Sequence, residues 1–172
     1  MKHFFPWLHK PGRGGHGERT DCAGAVYGSL LAASVIASAS SVGKFPRVEV
    51  TVLLLVTGLV FWAAHVYSIL AGERTAGRPA DRAEVRRVGR KEWGIVEAAV
   101  LPAAAVAVSP LLGLGLTATA WLALATAVAQ QVAWAYLGAL RALASRRQAA
   151  AEAVVHLLLG LVIVALKATI GH

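Results

Sequence analysis

Five apolar runs separated by clusters of cations restrict what this chain can become more than any other feature. The runs cover residues 22–42, 48–71, 94–112, 116–140 and 151–170. Each holds about 19–25 residues, the length an α-helix needs to cross a hydrocarbon core of about 30 Å at 1.5 Å per residue. Inside a bilayer the backbone finds no water, so such a segment must satisfy its own hydrogen bonds as a helix. The expected fold is all-α, a polytopic integral membrane bundle of five transmembrane helices over residues 22–172. A basic leader, residues 1–21, precedes it.

The cations orient that bundle. Of 17 Lys and Arg, four lie in the leader, seven in the loop 73–93 and three in the loop 141–148. Five spans alternate the side on which each loop emerges, so these three places share one face. The other face holds Lys44 and Arg47, with Lys167 near the end of the last span. The positive-inside effect then sets a cytoplasmic N-terminus and an outside C-terminus. The expected location is a cell membrane crossed several times, and the Ala, Gly, Val and Arg bias points to a bacterial inner membrane. Ala37-Ser38-Ala39 has the form of a signal-peptidase site. The 21 residues before its apolar run, with two acids, are unlike a compact n-region, so the first run is read as a span.

Composition excludes several classes. At 57% hydrophobic and a mean hydropathy of +0.61, the chain is too apolar for an ordinary soluble domain. A net charge of +8 would suit nucleic acid in a soluble protein. Here no basic stripe is interleaved with exposed aromatics, so nucleic acid is not an expected partner and anionic headgroups are. The loop 73–93 carries seven cations and four acids. Its part 80–91 can form a basic helix on the headgroups, with Arg82, Arg86, Arg87 and Arg90 touching lipid or a partner. Cys22 is the only cysteine, which excludes an internal disulfide, a CxxC pair and a thiolate cluster. His3, His9 and His16 are too widely spaced for a metal motif and belong with Phe4, Phe5 and Trp7 to an interfacial or disordered arm. No P-loop, dinucleotide fingerprint or nucleophile elbow occurs, so no catalytic residue or cofactor is assigned.

Ionisable groups inside apolar spans cost about 2.5–3.5 kcal/mol each on insertion scales and need a reason to be there. His65, Glu97, Glu152 and His156 qualify. From the span ends, His65 lies about 9 Å deep, His156 about 8 Å and Glu97 about 5 Å. They can form one layer if the second, third and fifth spans are neighbours. Glu152, His156, Gly160, Ile163 and Lys167 share a helical stripe that should face protein or water. Pro102 cannot donate to the Ala98 carbonyl, which leaves an acceptor one turn from Glu97. Gln130, Gln131, Trp134 and Tyr136 make the inner half of the fourth span polar, with Tyr27 and Tyr67 at similar heights. They read either as buried amides and an aromatic belt or as a cavity open to the cytoplasm. Gly24, Gly28 and Ala32 make a small-xxx-small face for close packing.

Three functions are compatible with these residues. A small transport or channel protein would pass protons or cations through His65, Glu97 and His156, since His titrates near neutral pH and carboxylates accept protons. A five-helix monomer encloses little interior, so this reading expects a homo-oligomer. A non-catalytic accessory or assembly subunit would use the basic loop on a membrane-protein partner. An intramembrane metal-dependent enzyme would use two His and one or two Glu, without a spacing signature. Val60-Phe61-Trp62-Ala63 and Val132-Ala133-Trp134-Ala135 hint at a repeated hairpin. The R-x-x-x-F-S-D motif of lysosomal-type potassium channels fails at Arg19, and helix-borne acid in the first span, as in four-helix multidrug exporters, is absent beyond Asp21.

Overall fold

The computed structural model describes residues 22–39, 46–72, 81–142 and 144–170. The leader with its three His, Lys44, and Arg74 and Arg78 of the basic loop lie outside the described residues. The described chain is helical throughout its regular structure: α1 (Cys22–Ala39), α2 (Arg47–Gly72), α3 (Arg82–Lys91), α4 (Gly94–Val108), α5 (Leu116–Arg141) and α6 (Arg146–Ile170). A 3-10 turn, Ser109–Leu112, extends α4. With that turn counted into α4, five helices are long and apolar enough to cross a membrane. The sixth, α3, is the short basic helix expected over 80–91.

Helix ends follow local chemistry. Ser145 and Gln148 form a reciprocal cap: the Ser145 amide donates to Gln148 Oε1 at 2.9 Å, and the Gln148 amide donates to Ser145 Oγ at 3.3 Å. That box starts α6 at Arg146, ahead of the expected 151, and places Arg146 and Arg147 in its first turn. At the other end of the bundle, Gly113 closes the 3-10 turn with a left-handed φ of 65°, a conformation glycine adopts without steric cost. Arg47, opening α2, reaches that corner. Its Nε donates to Ser109 Oγ at 3.1 Å and its Nη2 donates to the Leu114 carbonyl.

α1 sits in the middle. It packs most extensively on α5 and α4 and only lightly on α2 and α6, while α2 packs on α4 and α6 on α5. Half of α1 is buried, with Gly24, Ala25, Gly28, Ser29, Ala32, Ala33 and Ile36 among its nine enclosed residues. Its small side chains let backbones meet. A Cβ at Gly28 would stand 2.6 Å from the Ile95 carbonyl oxygen, and one at Gly138 would stand 2.9 Å from Cys22 Cβ. Larger residues fill the rest of the core, with Ile36, Leu54, Val106 and Leu124 almost wholly enclosed. The flanking helices are built the other way round. α2 turns Val52, Leu53, Val56, Leu59 and Val60 outward, and α6 does so with Val154, Val155, Leu158, Leu161 and Val162.

The Gly28 contact yields a stability prediction. Gly28→Val meets a backbone atom that cannot give way, so it should destabilise the detergent-solubilised protein by at least about 2 kcal/mol, the scale of core overpacking. Gly72→Val, where a Cβ meets nothing within 4 Å, should stay within about 0.5 kcal/mol. Thermal unfolding of both variants checks the contrast; equal shifts would show that the α1–α4 approach is not limiting.

Candidate functional site

Two polar clusters lie inside this apolar frame. The first forms where α3 turns into α4. Trp62 of α2 lies along the α3 backbone and donates from Nε1 to the Gly89 carbonyl at 2.9 Å. A Cβ at Gly89 would come within 3.2 Å of the indole, so glycine makes room for the ring. Val88 is buried with Val66 and Leu70, and Trp93 meets Trp62 edge-on at 5.3 Å between centroids. These contacts clamp α3 to α2. The chain then turns at Glu92, whose amide donates to the Val88 carbonyl at 3.0 Å and whose carbonyl accepts from Ile95 at 3.1 Å.

That turn points Glu92 inward. The residue is only 5% exposed, and its Oε2 lies 3.4 Å from Nε2 of the half-exposed His65. Its other oxygen is 4.0 Å from Lys91 Nζ. The Tyr27 ring of α1 lies 6.1 Å from the imidazole, and Gly24 gives the carboxylate space beside α1. The buried carboxylate thus lies beside a partly exposed imidazole, with α1 close to both. Reading the spans alone misses Glu92, because it falls in the polar loop. The signal was its spacing: Val88 and Glu92 stand at i and i+4, so the acid continues the buried face of α3.

The second cluster lies deeper. Ser29, the α1 residue it touches, is five residues beyond Gly24, about 7.5 Å along the helix. Gln130 Nε2 donates to the Ala98 carbonyl at 3.2 Å and to Ser29 Oγ at 3.3 Å. The Ala98 carbonyl is the one that Pro102 leaves without its helical donor, and the glutamine supplies the replacement. Gln131, one residue on and so turned about 100° around α5, faces α6 instead. Its Nε2 donates to the His156 carbonyl at 2.9 Å and lies 3.5 Å from His156 Nδ1. Gln130 is 8% exposed and Gln131 fully buried, yet neither Oε1 receives a hydrogen bond among the described residues.

The residues expected to form one layer are thus distributed over two flanks. The second and third spans are neighbours, as α2 and α4, but α6 packs on α5 and shares no packed interface with α2. His65 pairs with Glu92, whereas Glu97 is exposed on α4 and Glu152 exposed on α6. His156 belongs to the Gln131 flank, and because α6 begins at Arg146 it lies ten residues, about 15 Å, from the start of its helix. Tyr67 is outward on α2. The α6 stripe does face protein in part: Gly160 is buried against Val128, and Lys167 Nζ sits 5.2 Å over the Trp121 ring. Arg82, Arg86, Arg87 and Arg90 are all exposed along α3. Among the described residues, no three His, Cys, Asp or Glu gather in a way that could hold a metal. No protein-family model, curated protein or solved structure matches this chain.

The Pro102–Gln130 relation can be measured. Gln130→Leu should cost about 1–3 kcal/mol, because it strands the buried Ala98 carbonyl. In a Pro102→Ala background the new amide can donate to that carbonyl, so the same substitution should cost at least about 0.5 kcal/mol less. Additive costs in a double-mutant cycle would show that Gln130 does not serve the proline gap.

Proposed function

We propose that this chain is a multi-pass membrane protein with a cytoplasmic N-terminus, and that it acts as a small transport or channel protein for protons or cations. The His65–Glu92 pair is its cytoplasmic mouth, and the Gln130–Gln131 level lies behind it. The outward apolar faces of α2 and α6 support the membrane setting, since soluble monomers rarely expose continuous apolar surface on this scale. The grouping of cations on one side of the five spans supports the orientation.

One observation carries the transport reading. Two buried amide oxygens, Gln130 Oε1 and Gln131 Oε1, have no hydrogen-bond donor among the described residues. Buried acceptors without donors are costly in a low-dielectric interior, and a passing cation or proton-bearing species would satisfy them. Carbonyl oxygens are hard donors suited to such ions. The exposed arginine face of α3 favours a second reading, an accessory subunit held to a partner or lipid by that helix.

Reconstitution in liposomes with a pH-sensitive dye separates the two. Transport predicts a flux that falls about tenfold or more on Glu92→Gln or His65→Ala, in protein whose unfolding temperature confirms folding. Gln131→Leu should lower it comparably. Flux indifferent to all three variants would end this assignment of the path, and no flux from a folded oligomer would favour the accessory reading. Orientation is tested with Arg86→Cys in a Cys22→Ser background: a membrane-impermeant thiol reagent should label inverted vesicles and spare right-side-out ones.

A further inference from the structure

α3 has two faces of opposite character. At 100° per residue, Arg82, Arg86, Arg90, Arg87 and Lys91 fall within one half of its circumference, and all five are exposed. Val88 and Gly89 fall on the other half and are buried. The helix has ten residues, about 15 Å at the helical rise, too short to cross a bilayer. It lies between two helices that are long enough, with Trp93 exposed at its exit. A basic helix with an apolar inner face and a tryptophan at its end suits the headgroup layer, where the complementary charge is lipid phosphate.

Its inner face is also where the His65–Glu92 pair is set. Trp62 holds the Gly89 carbonyl, Val88 fills the space beside Val66 and Leu70, and Glu92 follows one turn later against His65. The same ten residues therefore present cations outward and fix a buried carboxylate inward. We propose that α3 binds the headgroups of anionic phospholipid and that this binding clamps it on α2, holding Glu92 against His65. The regulation of flux that follows rests on the transport reading; the clamp does not.

The test uses the full chain in nanodiscs of phosphatidylcholine alone or with phosphatidylglycerol. Native mass spectrometry should show phosphatidylglycerol retained over phosphatidylcholine by about tenfold or more, and the preference should vanish in R82Q/R86Q/R87Q/R90Q. Amide hydrogen exchange over residues 82–93 should slow in phosphatidylglycerol for the unmodified chain and not for the quadruple variant. Trp62→Phe, which keeps the arginines but removes the donor to Gly89, should retain the lipid preference and lose the slowing. A preference that survives the quadruple substitution overturns the proposal, as does exchange identical in the two lipids. Protection by an acidic peptide but not by phosphatidylglycerol overturns it in favour of a protein partner. Slowed exchange without flux in either lipid upholds the clamp and counts against transport alone.

Discussion

The architecture depends on how closely the backbone of α1 approaches α4 and α5. Where apolar side chains have apolar surroundings on both sides, hydrophobic burial supplies no drive to associate, and van der Waals contact between close backbones takes its place. Gly28 over the Ile95 carbonyl and Gly138 over Cys22 set that closeness. α1 becomes the hub, and α2 and α6 are left as outer layers on different partners. From that arrangement follows the separation of the two histidines, one on the α4 flank and one on the α5 flank. The glutamine pair inherits its divergence from the same geometry, since Gln130 reaches toward α1 and α4 while Gln131 reaches toward α6.

Length and hydropathy were enough to read five long helices and the basic helix between the second and third. Pro102 was legible too, as a freed Ala98 carbonyl, although nothing in the sequence named Gln130 as its donor. Helix adjacency was not legible: a 3.6-residue periodicity says which face is buried but not which helix covers it. The start of α6 was obscured for a different reason. The Ser145-x-x-Gln148 box is present in the sequence, but two arginines inside it give the segment the look of a loop. Glu92 was hidden by its company, one of four acids among seven cations, and only its register with Val88 marks it as inward-facing.

The cations on the sparsely charged side have occupations of their own. Arg47 ties the start of α2 to the turn after α4, and Lys167 lies over Trp121. On the densely charged side, Arg141 donates from Nη1 to Cys22 Sγ at 3.3 Å, joining the end of α5 to the start of α1. Charge asymmetry along a chain of this kind is therefore a sum of two populations. Arginines of α3 point outward, while Arg47 and Arg141 fasten helix ends to one another.

The central position of α1 has a consequence for how the protein is made. α1 leaves the ribosome before the other described helices, yet its main partner, α5, ends at Arg141, about 100 residues later, or roughly 5–20 s at ordinary rates of synthesis. Until α4 follows, about 70 residues after α1, the Gly28 face lacks the surface it packs against, and the face toward α5 waits longer. The first long helix to follow is α2, which touches α1 lightly in the finished bundle. Assembly must then slot an old helix between two new ones. The hub is made before the helices that enclose it, and it waits for its neighbours.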